Sequence, residues 1–295
     1  MKITNKYNLP SPVVSALSFD SYSKGESDMS ITQLIDAPRI SVLRRKHHEQ
    51  MTEDISSKLW SVLGTAVHSM FENAVHESQM ISEKRFFCQH DSSWTISGAI
   101  DLIEINGDQI TVTDYKCTSV WSVIFEKQEW HNQLNAYAWL LRHCTEPVQG
   151  NVSKLRIIAV LRDWKENDLK RNGGNYPKAP IAIIDIPLWS IEEQDRYMKE
   201  RIDLFDQAAF ASLTGQPLPR CSDKEQWAKP AKFAVHKGSN KRATKLFDTK
   251  EEASAFVLEK GKEFNIQNRP GDKTRCNANW CGVNEWCEQY AEEQA

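Results

Sequence analysis

Residues 111–119 read TVTDYKCTS, and in them Asp114 and Lys116 stand two positions apart. Side-chain direction alternates along an extended chain, so Val112, Asp114 and Lys116 share one face of a strand. A carboxylate beside an amine is either an ion pair on a sheet surface or part of a hydrolytic site. A second carboxylate, Asp101, precedes the turn signal Asn106-Gly107-Asp108, which pairs its strand with residues 110–116. Asp101 and Asp114 are thereby expected side by side at a sheet end. Two carboxylates held close repel unless a proton or cation intervenes, and hard oxygen ligands suit Mg²⁺ or Mn²⁺. Lys116 would then orient and deprotonate an attacking water, or stabilise transition-state charge, in phosphodiester hydrolysis.

Two helical segments carry further candidates. In GTAVHSMFENA, His68 follows Gly64 by four residues. A neutral imidazole there is either an additional metal ligand or a histidine at the edge of the core. In QLNAYAWLL, Gln133 and Tyr137 are four apart and share a helical face. They could hydrogen-bond a phosphate, the lysine or a base, or form a plain surface pair.

The C-terminal third holds a different donor set. Cys276, Cys281 and Cys287 are spaced C-x4-C-x5-C, and Cys221 is the other cysteine after the central region. Four thiolates suit one zinc ion or an iron–sulfur cluster. Such a centre would tie Cys221 to the tail and stabilise a small lobe. Between them runs KPAKFAVHKGSNKRATK, with Lys229, Lys232, Lys237, Lys241, Arg242 and Lys245 and no acid inside the stretch. It reads as a nucleic-acid contact or as a solvated basic hairpin.

These residues need elements to hold them. Residues 1–30 read as an irregular arm, interrupted by Pro10, Pro12, Ser21, Ser23 and Gly25. Ser30 is an N-cap candidate and Pro38 breaks the helix that follows it. Leu59, Val62, Leu63, Val67, Met70 and Phe71 form an apolar helical stripe. Gly64 within it weakens the helix unless a close contact needs a small residue. Residues 83–119 read as strands with a hairpin, 122–144 as a helix, and 155–161 and 181–188 as strands around a polar excursion. Ser190 with Glu193 forms a capping box for a helix reaching about residue 212. The order predicts an α/β (α+β) core, a small mixed sheet flanked by helices, with a cysteine-rich C-terminal lobe. The expected division is 1–50, an arm and helical lead-in; 51–215, the core; and 216–295, the basic segment and metal-binding lobe.

At 295 residues the chain can bury one substantial core, and a net charge of −3 gives no global pull toward polyanions. No apolar run reaches transmembrane length, and the opening MKITNKYNLPSPVV has no signal-peptide core. Seven cysteines, an odd number, argue against a fully paired secreted framework. The expected location is the cytoplasm, with no membrane partner.

Taken in order, G-x3-H, G-x2-D, D-x-K and Q-x3-Y resemble the RecB-like, Cas4-like exonuclease branch of the PD-(D/E)XK nuclease superfamily. The resemblance spans about residues 55–190. It implies a restriction-endonuclease-like core and hydrolysis of DNA with Mg²⁺ or Mn²⁺. It implies metal ligands at His68, Asp101 and Asp114, with the Tyr115 backbone carbonyl completing the shell. It implies a catalytic Lys116, supported by Gln133 and Tyr137. Asp114 stands where many members have Glu. Related nucleases often carry a 4Fe–4S cluster on a C-terminal C-x2-C-x5-C triplet and one distant cysteine, usually ahead of the core. The longer first gap here, and Cys221 after the core, leave zinc open. Basic segments like HKGSNKRATKLFDTKEEA precede the cysteine tail in phage-encoded members. Exonucleolytic action on DNA ends is the implied activity, in processing, recombination or degradation. A recombination or single-strand-binding protein is the implied partner, and the oligomeric state is left open. The rival expectation is a non-catalytic nucleic-acid-binding or recombination accessory protein that keeps the fold.

Overall fold

The computed structural model describes residues 1–18, 25–74, 79–90, 94–125 and 127–294, the side chains of 172 and 173 apart. Ser21 and Ser23, two breakers expected in the arm, lie outside the described residues. The chain divides into two compact units, Met1–Asp36 with Glu49–Phe210, and Ala37–His48 with Ala211–Ala295.

In chain order the first unit holds β1 (Lys2–Thr4), α1 (Ser11–Ser18), β2 (Met29–Ser30) and α2 (Ile31–Leu34); α3 (Pro38–Lys46) belongs to the second. Then come β3 (Thr52–Asp54), α4 (Leu59–Glu72), β4 (Met80–Gln89), β5 (Thr95–Asn106) and β6 (Gln109–Thr118). The unit continues with α5 (Trp121–Ile124), α6 (Gln128–His143), β7 (Asn151–Leu161), α7 (Glu166–Asn172), β8 (Ile181–Ile186) and α8 (Ile191–Thr214). Among the described residues the main sheet has six strands in the order β2-β5-β6-β7-β8, with β4 also on β5. β4, β5 and β6 form an antiparallel meander, β6 and β7 pair in parallel across α5 and α6, and β8 returns antiparallel. The mixed sheet flanked by helices is the α/β architecture expected from the order of elements.

The β5–β6 hairpin turns where Asn106 pairs with Gln109, and Gly107 supplies the positive φ of +63° that such a turn favours. The pairing runs only as far as Leu102 opposite Thr113. Beyond that point the strands part. β6 stays on β7 as far as Thr118 opposite Leu161, while β2 takes the edge of β5 at Ile96 and Ser97. Gly98 to Asp101 and Asp114 to Lys116 therefore flank a fork in the sheet.

Helix α6 closes one face of the fork. Every residue from Gln133 to Leu141 is buried, an all-round burial that marks a core helix. Gly98 sets how close it comes: a Cβ there would lie 2.8 Å from the Tyr137 ring and 2.9 Å from Leu140 Cδ2. Ile96, Ile100, Val112, Leu134, Leu140 and Ile157 fill the space between helix and sheet. Apolar burial of this kind contributes about 25 cal/mol per Å².

Two expectations need correction. The arm is not irregular throughout, because Pro12 sits in the first turn of α1, where a missing N–H is tolerated. The polar excursion contains α7. The apolar helical stripe forms α4 as expected, though none of its residues is buried, and Leu59 and Met70 are exposed. Elsewhere the expected caps form. Ser30 and Gln33 make a capping box at α2, as do Ser190 and Glu193 at α8. Pro38 begins α3 after ending the earlier helical run.

The second unit adds β9 (Ala228–Lys229) paired with β13 (Asp272–Lys273), and a sheet in the order β11-β10-β12. Its strands are β10 (Lys232–Lys237), β11 (Lys245–Phe247) and β12 (Phe264–Arg269), with α9 (Lys250–Lys260) packed through Phe247, Phe256 and Phe264. The tail carries α10 (Thr274–Asn277) and α11 (Glu288–Gln294).

Candidate active site

One cavity of about 470 Å³ opens at the fork in the sheet. Gly64 and His68 from α4, Gly98 and Asp101 from β5, Asp114 and Lys116 from β6, and Gln133 and Tyr137 from α6 all line it. Four stretches picked out by spacing alone thus converge on one place. Tyr115 does not line it. Its amide, released from the β5 ladder, donates to Asp101 Oδ2 at 2.6 Å, and its ring stacks on Phe71 at 4.3 Å.

The polar groups form two linked sets. Lys116 Nζ lies 2.8 Å from Asp114 Oδ2 and donates to Gln133 Oε1 at 2.9 Å. Gln133 Nε2 lies 2.9 Å from Asp114 Oδ1 and 3.0 Å from the Tyr137 hydroxyl. Gln133 therefore fixes both lysine and carboxylate while Tyr137 holds Gln133. The surface-pair reading of Gln133 and Tyr137 is excluded, since both are buried. On the other side His68 Nδ1 lies 3.3 Å from Glu83 Oε1 and 3.5 Å from Asp101 Oδ2.

The electrostatics are those of a site short of positive charge. Asp114 is 1 % exposed, and burial pushes its carboxyl up to about 6 against the pull of Lys116. Its Oδ2, though close to Lys116, receives no aligned hydrogen bond. The hydrogen bond to Asp101, then that to Glu83, raises the His68 imidazole to about 10. Protons are thus held where a cation would neutralise the acids. Ligand atoms of His68, Glu83 and Asp101 all lie within 4.8 Å of one another. That trio and the buried Asp114 carboxylate are a donor set fit for a hard divalent cation.

Glu83 was missed from sequence. It faces Asp101 across the ladder, between the pairs Ser82–Leu102 and Lys84–Ile100, and its φ is +47°. A single acid within a strand carries no signal of its own. Only cross-strand register reveals it.

In the second unit Cys221, Cys276, Cys281 and Cys287 line one small cavity of about 20 Å³. All four are free thiols. Arg39 Nη1 lies 3.9 Å from Cys287 Sγ and Gln226 Nε2 lies 3.7 Å from Cys276 Sγ, so N–H donors already face two sulfurs. Burial pushes the Cys221 thiol up to about 12, which keeps the free thiol protonated. The four thiols are a soft donor set with N–H donors beside two of them, although no three of the sulfurs lie within 4.8 Å of one another. Trp286 stacks on His47 at 4.7 Å, and Trp280 is 65 % exposed.

The basic stretch is less free than its sequence implies. Acids from outside it pair with Lys232 (Asp248) and Lys237 (Glu263, 3.2 Å), and Lys245 lies over the Phe247 ring at 4.9 Å. Lys229 lies on β9. Lys241 lines an open polar recess with Ser239 and Asn240, and Arg242 follows it without an ion pair among the described residues.

A family model described as the PD-(D/E)XK nuclease superfamily matches residues 74–288, and the chain belongs to that superfamily. No protein of curated function matches it. A solved structure titled "Crystal structure of SSO0001" is similar at 17 % identity and a TM-score of 0.42, covering 73 % of this chain and 87 % of that one. Superfamily members use divalent metals and act on nucleic acid, in keeping with the acidic trio at the fork. Among the described residues no helix is long and apolar enough to cross a membrane.

Proposed function

We propose that the chain is a Mg²⁺- or Mn²⁺-dependent DNA exonuclease of the RecB-like, Cas4-like branch, phage-encoded and acting in DNA processing, recombination or degradation. The observation that carries this reading is the convergence of four sequence motifs on one 470 Å³ cavity. His68, Asp101 and Asp114 would hold the metal, Glu83 joins them on the geometry of its carboxylate, and Tyr115, which does not line the cavity, is left out of the shell. When bound there, a divalent cation would supply Lewis-acid chemistry, activating water and offsetting negative charge. Lys116 orients the attacking water toward phosphorus and meets the developing negative charge. Gln133 keeps Lys116 aimed into the cavity, and Tyr137 keeps Gln133 in place. The cysteine centre, a 4Fe–4S cluster or zinc on Cys221, Cys276, Cys281 and Cys287, serves as a structural clip. Lys241 and Arg242 are the best placed of the basic residues to meet DNA phosphates.

Digestion of linear DNA in the presence of Mg²⁺ or Mn²⁺ is the test. Lys116→Ala should abolish cleavage while sparing DNA binding, and Asp101→Ala should lose metal and cleavage together. Cleavage by Lys116→Ala at the parent rate would overturn the assignment. Linear DNA should be degraded while covalently closed circles survive, and rapid cutting of circles would reject a strict exonuclease. If the parent binds DNA but never cuts it, the rival reading as a recombination accessory protein takes over.

A further inference from the structure

We propose that Trp60, Trp121 and Phe125, together with the Arg162 guanidinium, form a platform beside the cleft that stacks the bases of an unpaired DNA strand. The proposal rests on the DNA nuclease reading above and names its substrate form: single-stranded DNA or a frayed end.

The platform continues the cavity. Trp60, Gly64 and His68 are spaced i, i+4, i+8 and share one face of α4. At 1.5 Å per residue they span about 12 Å, enough for a few nucleotides stacked at about 3.4 Å. Gly64, between them, would meet nothing within 4 Å if it carried a Cβ. It weakens the helix, and no neighbour in the chain needs the room it leaves. The bare backbone there opens toward whatever lies in the cavity.

The rest of the platform follows the ends of β6 and β7. The Arg162 guanidinium lies over the Trp60 ring at 4.4 Å, and the Arg162 amide donates to Thr118, two residues beyond Lys116. Asp163 then accepts hydrogen bonds from Ser119 Oγ at 2.7 Å and the Val120 amide at 2.8 Å. These fix the start of α5, which presents Trp121 and Phe125 with rings 15° from parallel. The three aromatic residues are 55 %, 60 % and 69 % exposed. Large flat rings left in water beside a nuclease cleft, one carrying a cation, match the π-faces and phosphates of an unpaired strand. A duplex hides its base faces and would gain little from them.

The probes are two fluorescent oligonucleotides of about 20 nucleotides, one oligodeoxythymidylate and one with abasic sugars throughout. Binding to the intact protein is read by fluorescence anisotropy in EDTA, so that nothing is cut. The parent should bind the thymidylate about tenfold more tightly than the abasic strand. Trp60→Ala and Trp121→Ala should each lower thymidylate affinity about fivefold or more while leaving abasic binding unchanged, and Trp60→Phe should restore most of it. Thermal melts confirm that the variants fold. Equal affinity of the parent for both strands, or thymidylate binding by both alanine variants at the parent level, would overturn the platform. So would sedimentation showing that Trp121→Ala dissociates a parent dimer, since the rings would then face a second copy. Base-dependent binding without Mg²⁺-dependent cutting refutes the nuclease reading alone. Cutting without base-dependent binding refutes the platform alone.

Discussion

Glu83 holds a left-handed backbone in the middle of a strand, with φ at +47°, and aims its carboxylate at His68. Non-glycine residues adopt that region at a cost of about 1–3 kcal/mol and tend to persist where a site requires them. Glu83→Gly should therefore raise the melting temperature of metal-free protein and shrink the further rise that Mn²⁺ produces; calorimetric melts with and without Mn²⁺ check both. The proton balance of the site gives a second prediction. His68 is raised from 6.5 to about 10, so its contribution is full below pH 6.5 and lost as pH rises through about 10. Asp114 is raised from 3.8 to about 6, so its contribution fades as pH rises through about 6. A divalent cation held by these residues would replace both protons. The stabilisation by Mn²⁺ should grow between about pH 5 and pH 9, and a rise that is flat with pH would contradict this arrangement. His68, Asp101, Asp114 and Lys116 were legible because each belongs to a short spacing rule. Glu83 was not, since its place follows from register and backbone torsion.

At the level of elements, α6 and β5 decide where the side chains of the cavity stand. Gly98→Ala should force α6 off the sheet and destabilise the protein by about 1–3 kcal/mol, with a larger loss of cleavage as Gln133 shifts; urea denaturation and a rate assay measure the two. Leu134, fully buried on the same helix, is a control: Leu134→Ala should cost about 2–5 kcal/mol and leave metal binding largely in place, as read by titration. The β5–β6 hairpin and α8 were legible because a turn signal and a capping box are local. The role of α4 was not. Its period fits a core helix, but it lies against the fork on one flank and leaves Trp60 and Met70 to solvent. Periodicity shows that a helix has an apolar face, not what covers it. The return of Ala37–His48 to the C-terminal unit was equally hidden, because Arg44 reaches the Cys281 carbonyl across 237 positions.

On the scale of the whole molecule, two compact units offer two kinds of donor. Carboxylates and imidazole in the first suit hard cations, and thiols in the second suit zinc or iron. EDTA should stop cleavage at once, and Mg²⁺ should restore it, while tightly bound iron or zinc stays with the protein. Cys276→Ser should lower metal content and thermal stability before it alters the cleavage rate per folded molecule. Unchanged metal content and melting in that variant would remove Cys276 from the centre. Anaerobic purification with absorbance and metal analysis decides between a brown iron–sulfide protein and a colourless zinc one.

The parallel ladder between β6 and β7 also sets an order in time. β4, β5 and β6 follow one another as hairpins, and hairpins close in microseconds. β7 reaches β6 only after α5 and α6 have been laid down, and pairing across so long a loop is slow. Asp114 and Lys116 lie on the stretch of β6 that pairs with β7 alone among the described strands, and Gln133 arrives with the crossover itself. During refolding, circular dichroism should therefore recover ahead of hydrolysis. A newly made chain would stay harmless to nucleic acid until its sheet was nearly complete.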